Sequence, residues 1–283
     1  MGAYHGHMKY AKPIKLTFLK SLLVILAISA AIALRPSSAL AWGRIGHRAA
    51  ARIAEDHLSA HAKAALRLLL GPGVGLADIA NWADEQRETA GTATWHYVNV
   101  PTRESRYDRR YCPVQGCVVS KIEDFRHILE DPAAGKAQKQ LALRFLVHFI
   151  ADLHQPLHVG DDSDKGGNLL QVRFFDEASN LHSVWDSRII IRHTENENVW
   201  VWELTFVANP RSVEEWSKGS PEEWATESLL LSKSVRRVPG SSVPIKPGAR
   251  IGSEYYKASL PTIQRQLAKA GVRTAWVLNR IFQ

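Results

Sequence analysis

Apolar residues recur every three or four positions along most of the chain beyond residue 41, which is the spacing of an amphipathic α-helix. Residues 47–70 follow this spacing as far as a glycine-rich stretch, and residues 138–154 follow it almost to Pro156, which predicts the end of that helix. The second stretch places four large residues on one face: Leu141, Phe145, Phe149 and Leu153. Since 45% of the 283 residues are hydrophobic, the chain can bury a sizeable core. The pattern predicts a mainly α protein.

Shorter signals complete the predicted fold. Ser120 and Glu123 have the spacing of a capping box at the start of a helix over residues 120–131. A C-terminal helix is indicated by five apolar residues: Leu260, Ile263, Leu267, Leu278 and Ile281. Residues 169–175 and 188–193 are typical of two strands in a small β-hairpin, and residues 238–248 are typical of a surface loop within a single domain.

The first 41 residues have the three parts of an export signal. A basic region extends to Lys20, an apolar run covers residues 21–34, and Ala39 and Ala41 form a small-residue cleavage site. The apolar run is shorter than the about 20 residues that span a bilayer, which favours a cleaved signal over a retained anchor. We therefore expect a periplasmic or secreted protein without membrane attachment.

Cleavage between Ala41 and Trp42 would leave a single domain, residues 42–283. The first 41 residues hold five basic and no acidic residues, so the formal charge of +8 falls to +3 without them. A protein that grips duplex DNA through many phosphates usually has a larger basic face. The modest charge therefore favours recognition of single strands and short substrates.

The chain has two cysteines, Cys112 and Cys117. In an oxidising compartment they are expected to form a local disulfide. A thiolate metal site would require more partners nearby.

Histidines and aspartates recur together at helical spacing. His148 and Asp152 are four residues apart in a predicted helix, and His182 and Asp186 repeat that spacing. Imidazole nitrogen and carboxylate oxygen are the donors that Zn²⁺ takes in a site without cysteine, although one such pair is more typical of a salt bridge or a core histidine. The candidate ligands number nine: Trp42 through a free amine, His47, Asp84, His96, His148, Asp152, His158, His182 and Asp186. Nine ligands can hold three ions if one carboxylate bridges two of them.

These residues occur in a distinctive order of motifs. The motifs are WGRIGH from Trp42, NWADEQR, TWHYVN, HFIADLHQPLH, GGN and LHSVWD. Their order and spacing over residues 42–283 resemble those of the zinc-dependent, single-strand-preferring S1/P1 nucleases. The resemblance implies a single-domain helical fold of the phospholipase C and nuclease type, with a trinuclear zinc cluster in a cleft.

The resemblance also implies how the ligands divide among three zinc ions. The first ion would be held by Asp84, His96, His148 and Asp152. The second would be held by His158, His182 and Asp186. The third would be held by His47, by Asp152 as a bridge, and by the amine and carbonyl oxygen of Trp42. His154 lies within the same motif without being a ligand, and we expect it to orient a neighbour through a hydrogen bond.

The implied activity is that of an endonuclease and 3′-nucleotidase that leaves 5′-phosphates on DNA and RNA fragments, using a bridging hydroxide as nucleophile. Three Zn²⁺ against three carboxylates leave a formal +3, a field that acidifies bound water. Asp84 and Arg87 are the expected catalytic residues, with Arg87 donating paired hydrogen bonds to the phosphoryl oxygens. A surface salt bridge is the alternative role for Arg87. We expect a monomer with no stable protein partner.

The resemblance places a nucleobase pocket at Tyr97, Asn99 and Asn168. Stacking on Tyr97 would contribute about 1–3 kcal/mol and would favour unpaired bases. Fungal members have Phe and Asp at the first two positions, and Asn offers a donor where Asp offers only acceptors, so base preference is expected to differ. Ordinary core or loop packing is the alternative for all three residues.

Two other classes of protein use comparable residues. A zinc phospholipase C has a similar cluster that starts at an N-terminal tryptophan, but the step from Trp42 to His47 is short for that class, and Asp186 stands where those enzymes use Glu. An exported zinc-storage protein would saturate its metals, whereas catalysis requires an open coordination position.

Overall fold

The computed structural model describes residues 1–3 and 42–283, so the predicted export signal at residues 4–41 lies outside the described residues. The predicted mainly α class is confirmed. The helices are α1 Gly43–Asp56, α2 Ala60–Leu70, α3 Leu76–Ile79, α4 Trp82–Glu85, α5 Val118–Glu130, α6 Lys136–Leu153, α7 Leu181–Ser183, α8 Ile189–His193, α9 Glu197–Val207, α10 Pro210–Trp216, α11 Pro221–Val235 and α12 Ser253–Ile281. Short 3₁₀ turns cover Ala93–His96, Arg109–Tyr111 and Pro156–His158, and a π-helical turn, Val184–Arg188, joins α7 to α8.

Two small sheets accompany the helices. Strands β1 (Val100–Pro101) and β2 (Gly160–Asp161) pair in parallel. Strand β3 (Gln171–Phe174) pairs antiparallel with β4 (Glu177–Asn180) and parallel with β5 (Ala249–Ile251). A small hairpin therefore exists, and its first strand lies within the predicted residues 169–175, but its second strand is β4.

The predicted second strand of that hairpin is wrong. Residues 188–193 are helical, with Ile189 and Ile190 buried and Ile191 49% exposed. Asn180 caps the start of α7 by accepting a hydrogen bond from the Ser183 backbone N–H, and the helical path continues from there through the π turn into α8. The strand preference of a run of isoleucines is weak where packing favours a helix.

The predicted helix over residues 47–70 is two helices. Ser59 caps α2 by accepting from the Ala62 N–H. The Asn279 side chain, from the last helix, donates to the His57 carbonyl at 3.0 Å and accepts from the Ser59 N–H at 2.7 Å. These tertiary hydrogen bonds satisfy the backbone groups freed by the break, which no local pattern signals.

The start of α5 also differs from the prediction. The helix begins at Val118, and Ser120 lies at its third position, where its hydroxyl accepts from the Cys117 N–H at 3.1 Å. The predicted disulfide between Cys112 and Cys117 is present just before this helix. Residues 238–248 form the predicted loop, which is mostly exposed.

Helix α12 packs along α1 and belongs to both hydrophobic cores of residues 42–283. Ile263 and Leu267 pack in the core beneath the three-stranded sheet, whereas Leu278 packs in the core around α5 and α6. A Cβ at Gly271 would lie 2.6 Å from the Ala50 carbonyl oxygen, so only glycine permits this approach of α12 to α1. Within the described residues, the helices that are long enough to cross a membrane are too polar to do so.

The predicted apolar face of α6 is buried in the α5 and α6 core at Phe145, Phe149 and Leu153, while Leu141 at the start of the helix is 42% exposed. The neighbouring face of the last two turns carries His148 and Asp152, which are also fully buried. The end of α6 therefore sets two charged or polar side chains inside the protein.

Candidate metal centre

Helices and turns that are distant in sequence converge on the end of α6. They bring together eight buried side chains: His47 from α1, Asp84 from α4, His96 and His158 from the ends of 3₁₀ turns, His148 and Asp152 from α6, His182 from α7 and Asp186 from the π turn. All eight are side chains that the sequence predicts as ligands. They form three groups in which possible ligand atoms lie within 4.8 Å of one another: His47 with Asp84 and His148, His96 with His148 and Asp152, and His158 with His182 and Asp186.

Asp152 belongs to the second group and also lies close to His47 of the first. Its carboxylate oxygens lie 3.4 Å from His47 Nε2, 2.9 Å from His96 Nδ1 and 3.2 Å from His148 Nε2. Asp84 lies beside it, with Oδ1 3.4 Å from His96 Nδ1 and 3.5 Å from His148 Nε2. One carboxylate is thus within reach of three imidazoles.

Backbone carbonyls fix the orientation of three of the histidine rings. His148 donates from Nδ1 to Ala80 O at 2.7 Å, His158 to His96 O at 3.0 Å, and His182 to Gly166 O at 2.7 Å. In each ring the other nitrogen, Nε2, is left to face the carboxylates. This division is typical of metal-ligating histidines, whose second nitrogen donates to a carbonyl or carboxylate.

The third group has its own supporting contacts. His182 Nε2 lies 3.0 Å from Asp186 Oδ2, and His158 Nε2 lies 3.8 Å from Asp186 Oδ1. The buried Gln155 side chain donates to Asp186 Oδ1 at 2.6 Å and accepts from the Leu157 N–H at 2.7 Å. Gln155 therefore holds one oxygen of Asp186 and leaves the other facing His182.

The glycines of the GGN motif allow this group to close. Gly166 has φ +61°, and a Cβ there would lie 2.3 Å from Leu157 O and 3.5 Å from His182 Nδ1. Only glycine can bring its carbonyl this close to the His182 ring.

The donor atoms fit metal ions better than they fit one another. His47 Nε2, Asp84 Oδ1, Asp152 Oδ1 and Asp186 Oδ2 are buried, and within the described part of the chain they have no hydrogen-bond partner. Two donors bound tetrahedrally to one Zn²⁺, each at about 2.1 Å, lie roughly 3.4 Å apart. Several separations in the centre are of this size. A buried acceptor without a partner is costly, and a cation would remove that cost.

The protonation of the centre also suits a cation. Burial lowers the pKa of His96 and lowers that of His158 to about 4, so both rings are neutral near pH 7. Burial acts to raise the pKa of Asp152, but the charge of His148 outweighs it and holds that pKa well below its usual range. Burial acts to lower the pKa of His148 and of His182, but the neighbouring aspartates raise both, so these two rings hold protons that a bound metal ion would displace.

Trp42 and Arg87 lie at the edges of this centre. The indole of Trp42 is fully buried and donates to the Ala151 carbonyl at 2.7 Å, which places Trp42 beside Asp152. Arg87 is partly buried, with a buried Nε atom. Burial acts to lower the pKa of His182, but Asp186 outweighs it and raises that pKa. The charge of Arg87 also acts to lower the pKa of His182, so the Arg87 guanidinium lies near the third group.

The predicted base-pocket residues lie close to the ligands along the chain. Tyr97 follows His96 directly, is half-buried and has extended backbone, and Asn99, two residues on, is exposed. Residues two apart in an extended segment project to the same side. Asn168 is half-buried, and its side-chain amide donates to Lys165 O at 2.9 Å. The carbonyl of the preceding residue, Gly167, accepts from the His182 backbone N–H.

Several supporting groups of the centre are not predicted by the sequence. The carbonyls of Ala80 and Gly166 carry no sequence signal, because any residue supplies a carbonyl. Gln155 could have been found from the sequence, because it lies between His154 and His158 in the motif HQPLH. The buried indole of Trp42 contributes a hydrogen bond as well as the backbone that the sequence singles out.

The expectation for His154 is that it orients a neighbour. Its Nδ1 donates to Ile150 O at 2.7 Å, and its Nε2 lies 2.9 Å from Arg273 Nη1. The neighbour that it contacts is therefore Arg273 on α12, and not a residue of the metal centre.

Fold and site together define a helical protein with a buried histidine and aspartate centre suited to several metal ions. The family model of the S1/P1 nucleases matches residues 42–283. Nuclease P1 of Penicillium citrinum is 32% identical over 267 residues, covering 85% of this chain and 97% of that protein. Endonuclease 4 of Arabidopsis thaliana is 32% identical over 280 residues, covering 87% and 91%, and nuclease S1 of Aspergillus oryzae is 29% identical over 286 residues, covering 91% and 97%.

The chain belongs to the S1/P1 nuclease family, as its motifs indicate. It is therefore a phosphodiester hydrolase with nuclease activity.

Proposed function

We propose that the chain is an exported endonuclease and 3′-nucleotidase that acts on single-stranded DNA, RNA and 3′-nucleotides, leaves 5′-phosphates and uses three zinc ions. The observation that supports this most is the buried cluster of five histidines and three aspartates, six of whose side-chain nitrogen and oxygen atoms lack a hydrogen-bond partner within the described residues. The relatives named nuclease P1, nuclease S1 and endonuclease 4 add the substrate class.

In this proposal Asp84, His96, His148 and Asp152 hold the first ion. His158, His182 and Asp186 hold the second. His47, Asp152 and the amine and carbonyl of Trp42 hold the third. The 3.4 Å between His47 Nε2 and Asp152 Oδ1 supports Asp152 as the shared ligand. Zinc bound there supplies positive charge for a phosphate and acidifies water at neutral pH.

The protein side chains have roles of their own in this reaction. Arg87 would bind the phosphoryl oxygens through two N–H groups and stabilise the charge that develops on them. Tyr97 would stack on a base, and Asn99 and Asn168 would hydrogen-bond to its edge. A paired base has no exposed face for Tyr97, which would give preference for single strands.

The mature protein, purified from an exporting cell, provides the direct test. We expect an N-terminal Trp42, three zinc ions per chain, and hydrolysis of single-stranded DNA, RNA and 3′-nucleotides well above that of duplex DNA. Equal rates on duplex and single strands would contradict the base-stacking role. A zinc protein that cleaves a choline phospholipid, or that cleaves nothing, would contradict the proposed activity.

Removal of the leader would then be an activating step, because only a free amine at Trp42 can bind metal. A variant with one alanine inserted between Ala41 and Trp42 is expected to contain two zinc ions and to lose most activity. The same inserted residue in the exposed loop of residues 238–248 is the matched control and should keep all three ions. Full activity with the leader attached would refute this step.

A further inference from the structure

A loop next to the metal centre carries a concentration of arginines that the proposed reaction does not use. Residues 102–111, TRESRYDRRY, hold four arginines, all exposed: Arg103, Arg106, Arg109 and Arg110. We call residues 102–111 the arginine loop.

The arginine loop is fastened to the protein at several points. Thr102 at its start donates from its backbone N–H to Asp161 O, continuing the pairing of β1 with β2. Tyr107 in its middle is buried, its N–H donates to Thr226 Oγ1 at 3.1 Å, and burial raises its pKa to about 12. The Cys112–Cys117 disulfide follows directly after it. A fixed backbone thus displays four exposed cationic side chains.

The loop continues directly from the candidate base pocket. The chain runs from His96 through Tyr97 and Asn99 into β1, which pairs with the strand that follows His158. Arg103 lies seven positions after His96, a span of at most about 25 Å for extended backbone. A strand held at the metal centre can therefore reach the loop within a few nucleotides.

Acidic neighbours cancel only part of this charge. Arg103 and Arg110 share Glu104, at 3.9 and 3.6 Å, and Arg109 lies 3.6 Å from Glu222. The loop contains Glu104 and Asp108 against four arginines, so its net charge is +2, compared with +3 for residues 42–283 as a whole. Long, exposed ion pairs of this kind are weak and allow the guanidinium groups to exchange partners.

We infer that the arginine loop binds the phosphates of a single-stranded nucleic acid on the side of the base pocket, away from the bond that is cut. Guanidinium groups bind phosphate through paired N–H donors. Tyr111 is half-buried against the protein core, and the Arg110 guanidinium lies 4.9 Å from its ring centre. Cationic and aromatic groups therefore stand together in this segment, as they do in single-strand binding surfaces. The inference rests on the proposed function and adds that polymers bind more tightly than dinucleotides.

The test replaces all four loop arginines by glutamine (R103Q, R106Q, R109Q, R110Q) in the zinc-loaded protein. The matched control replaces four helical arginines elsewhere, R67Q, R211Q, R265Q and R280Q, which changes the net charge equally. For a 20-nucleotide DNA strand at low salt we expect KM to rise at least tenfold in the loop variant with kcat unchanged, and less than twofold in the control. Hydrolysis of a dinucleotide should stay within twofold in both.

Salt dependence gives an independent measure of the same phosphate binding. The slope of log affinity against log salt should fall by about 0.7 for each phosphate that the variant no longer binds. Equilibrium binding of a fluorescent, hydrolysis-resistant phosphorothioate strand measures this slope whether or not the protein cuts nucleic acid. Melting temperature and zinc content, compared with those of the unsubstituted protein, show that the variants fold.

The outcomes separate this inference from the proposed function. Unchanged strand binding in the loop variant, an equal loss in the control, or an equal loss on the dinucleotide would each overturn the inference. If the unsubstituted protein hydrolyses none of these substrates, the proposed function fails, and the binding comparison still decides on the loop.

Discussion

Two buried polar clusters lie at the same end of α6 and differ in how their charges are compensated. Asp152 enters the metal centre, whereas His154, two residues later, enters a network with Arg273 of α12 and Glu227 of α11. Asp152 and His154 are both fully buried. Position and burial alone therefore do not distinguish the two clusters.

The difference lies in how their charges are compensated. Both ring nitrogens of His154 have protein partners, and Arg273 donates from two nitrogens to the Glu227 carboxylate at 2.8 and 2.7 Å. Lys269 adds an ion pair to Glu227 at 3.0 Å. In the metal centre three carboxylates meet five imidazoles, and buried acceptors are left without hydrogen bonds within the described residues. A buried histidine indicates a metal site when the protein leaves the charges around it uncompensated.

The largest expected effect is at Asp152, the carboxylate that we propose as the shared ligand. Asp152→Asn removes one negative charge from a residue that lies against three candidate ligands, so we expect loss of more than one zinc ion and a fall in activity of at least about 10³-fold. Metal analysis and hydrolysis of single-stranded DNA measure the two effects. A variant that keeps its full zinc content would show that Asp152 is not a bridge.

Two buried glutamines offer a matched pair for the next effect. Gln155 donates to Asp186 in the metal centre, and Gln266 donates to the His154 carbonyl in the other cluster. Gln155→Leu should weaken zinc binding by about 10–100-fold, the usual effect of losing a hydrogen bond to a ligand, and Gln266→Leu should not. Chelator competition followed by metal analysis makes the comparison. Equal zinc affinity in both variants would show that orientation of Asp186 does not depend on Gln155.

A substitution in the cluster of His154, Arg273 and Glu227 should lower the stability of the fold without changing its zinc content. Glu227→Gln removes the partner of Arg273, whose side chain is only 4% exposed, while Glu227 itself is 39% exposed. Because the carboxylate is partly solvated, we expect a loss of about 1–3 kcal/mol rather than the larger cost of breaking a fully buried pair. Urea unfolding gives this value, and zinc content should stay at that of the unsubstituted protein. A loss of zinc in this variant would mean that the two clusters are not independent.

The smallest expected effect is a difference in acid sensitivity. Burial acts to raise the pKa of Glu227, but Arg273 and Lys269 outweigh it and lower that pKa to about 2. The depressed pKa stabilises the fold above the unfolded value of about 4.5, and this stabilisation is lost as the pH falls from there towards 2. The free energy of unfolding of Glu227→Gln should therefore fall less steeply over this range.

Urea unfolding of Glu227→Gln and of the unsubstituted protein should be measured in parallel between pH 2 and 4.5. Both proteins lose metal at low pH, so the comparison cancels that effect. Identical slopes would show that Glu227 keeps an ordinary pKa in the folded protein.

Much of the fold follows from the sequence because its strongest signals are local. The periodicity of residues 138–154 predicts α6, and Pro156 predicts its end near Leu153. The spacing of His148 and Asp152 places both on one face. Where local preference and packing disagree, the sequence misleads: the isoleucines of residues 188–193 suggest a strand, and residues 47–70 suggest one helix.

The donor chemistry of the centre was likewise determined by the sequence alone, since residue type and order give the eight side chains that the structure brings together. Only the tertiary structure decided which of them face one another, which carbonyls hold their rings, and why His154 belongs elsewhere. Those facts depend on hydrogen bonds between residues that are far apart in the chain, such as Trp42 with Ala151 and His154 with Arg273. Compensation of a buried charge is a property of its three-dimensional surroundings, and no local spacing of residues reports it.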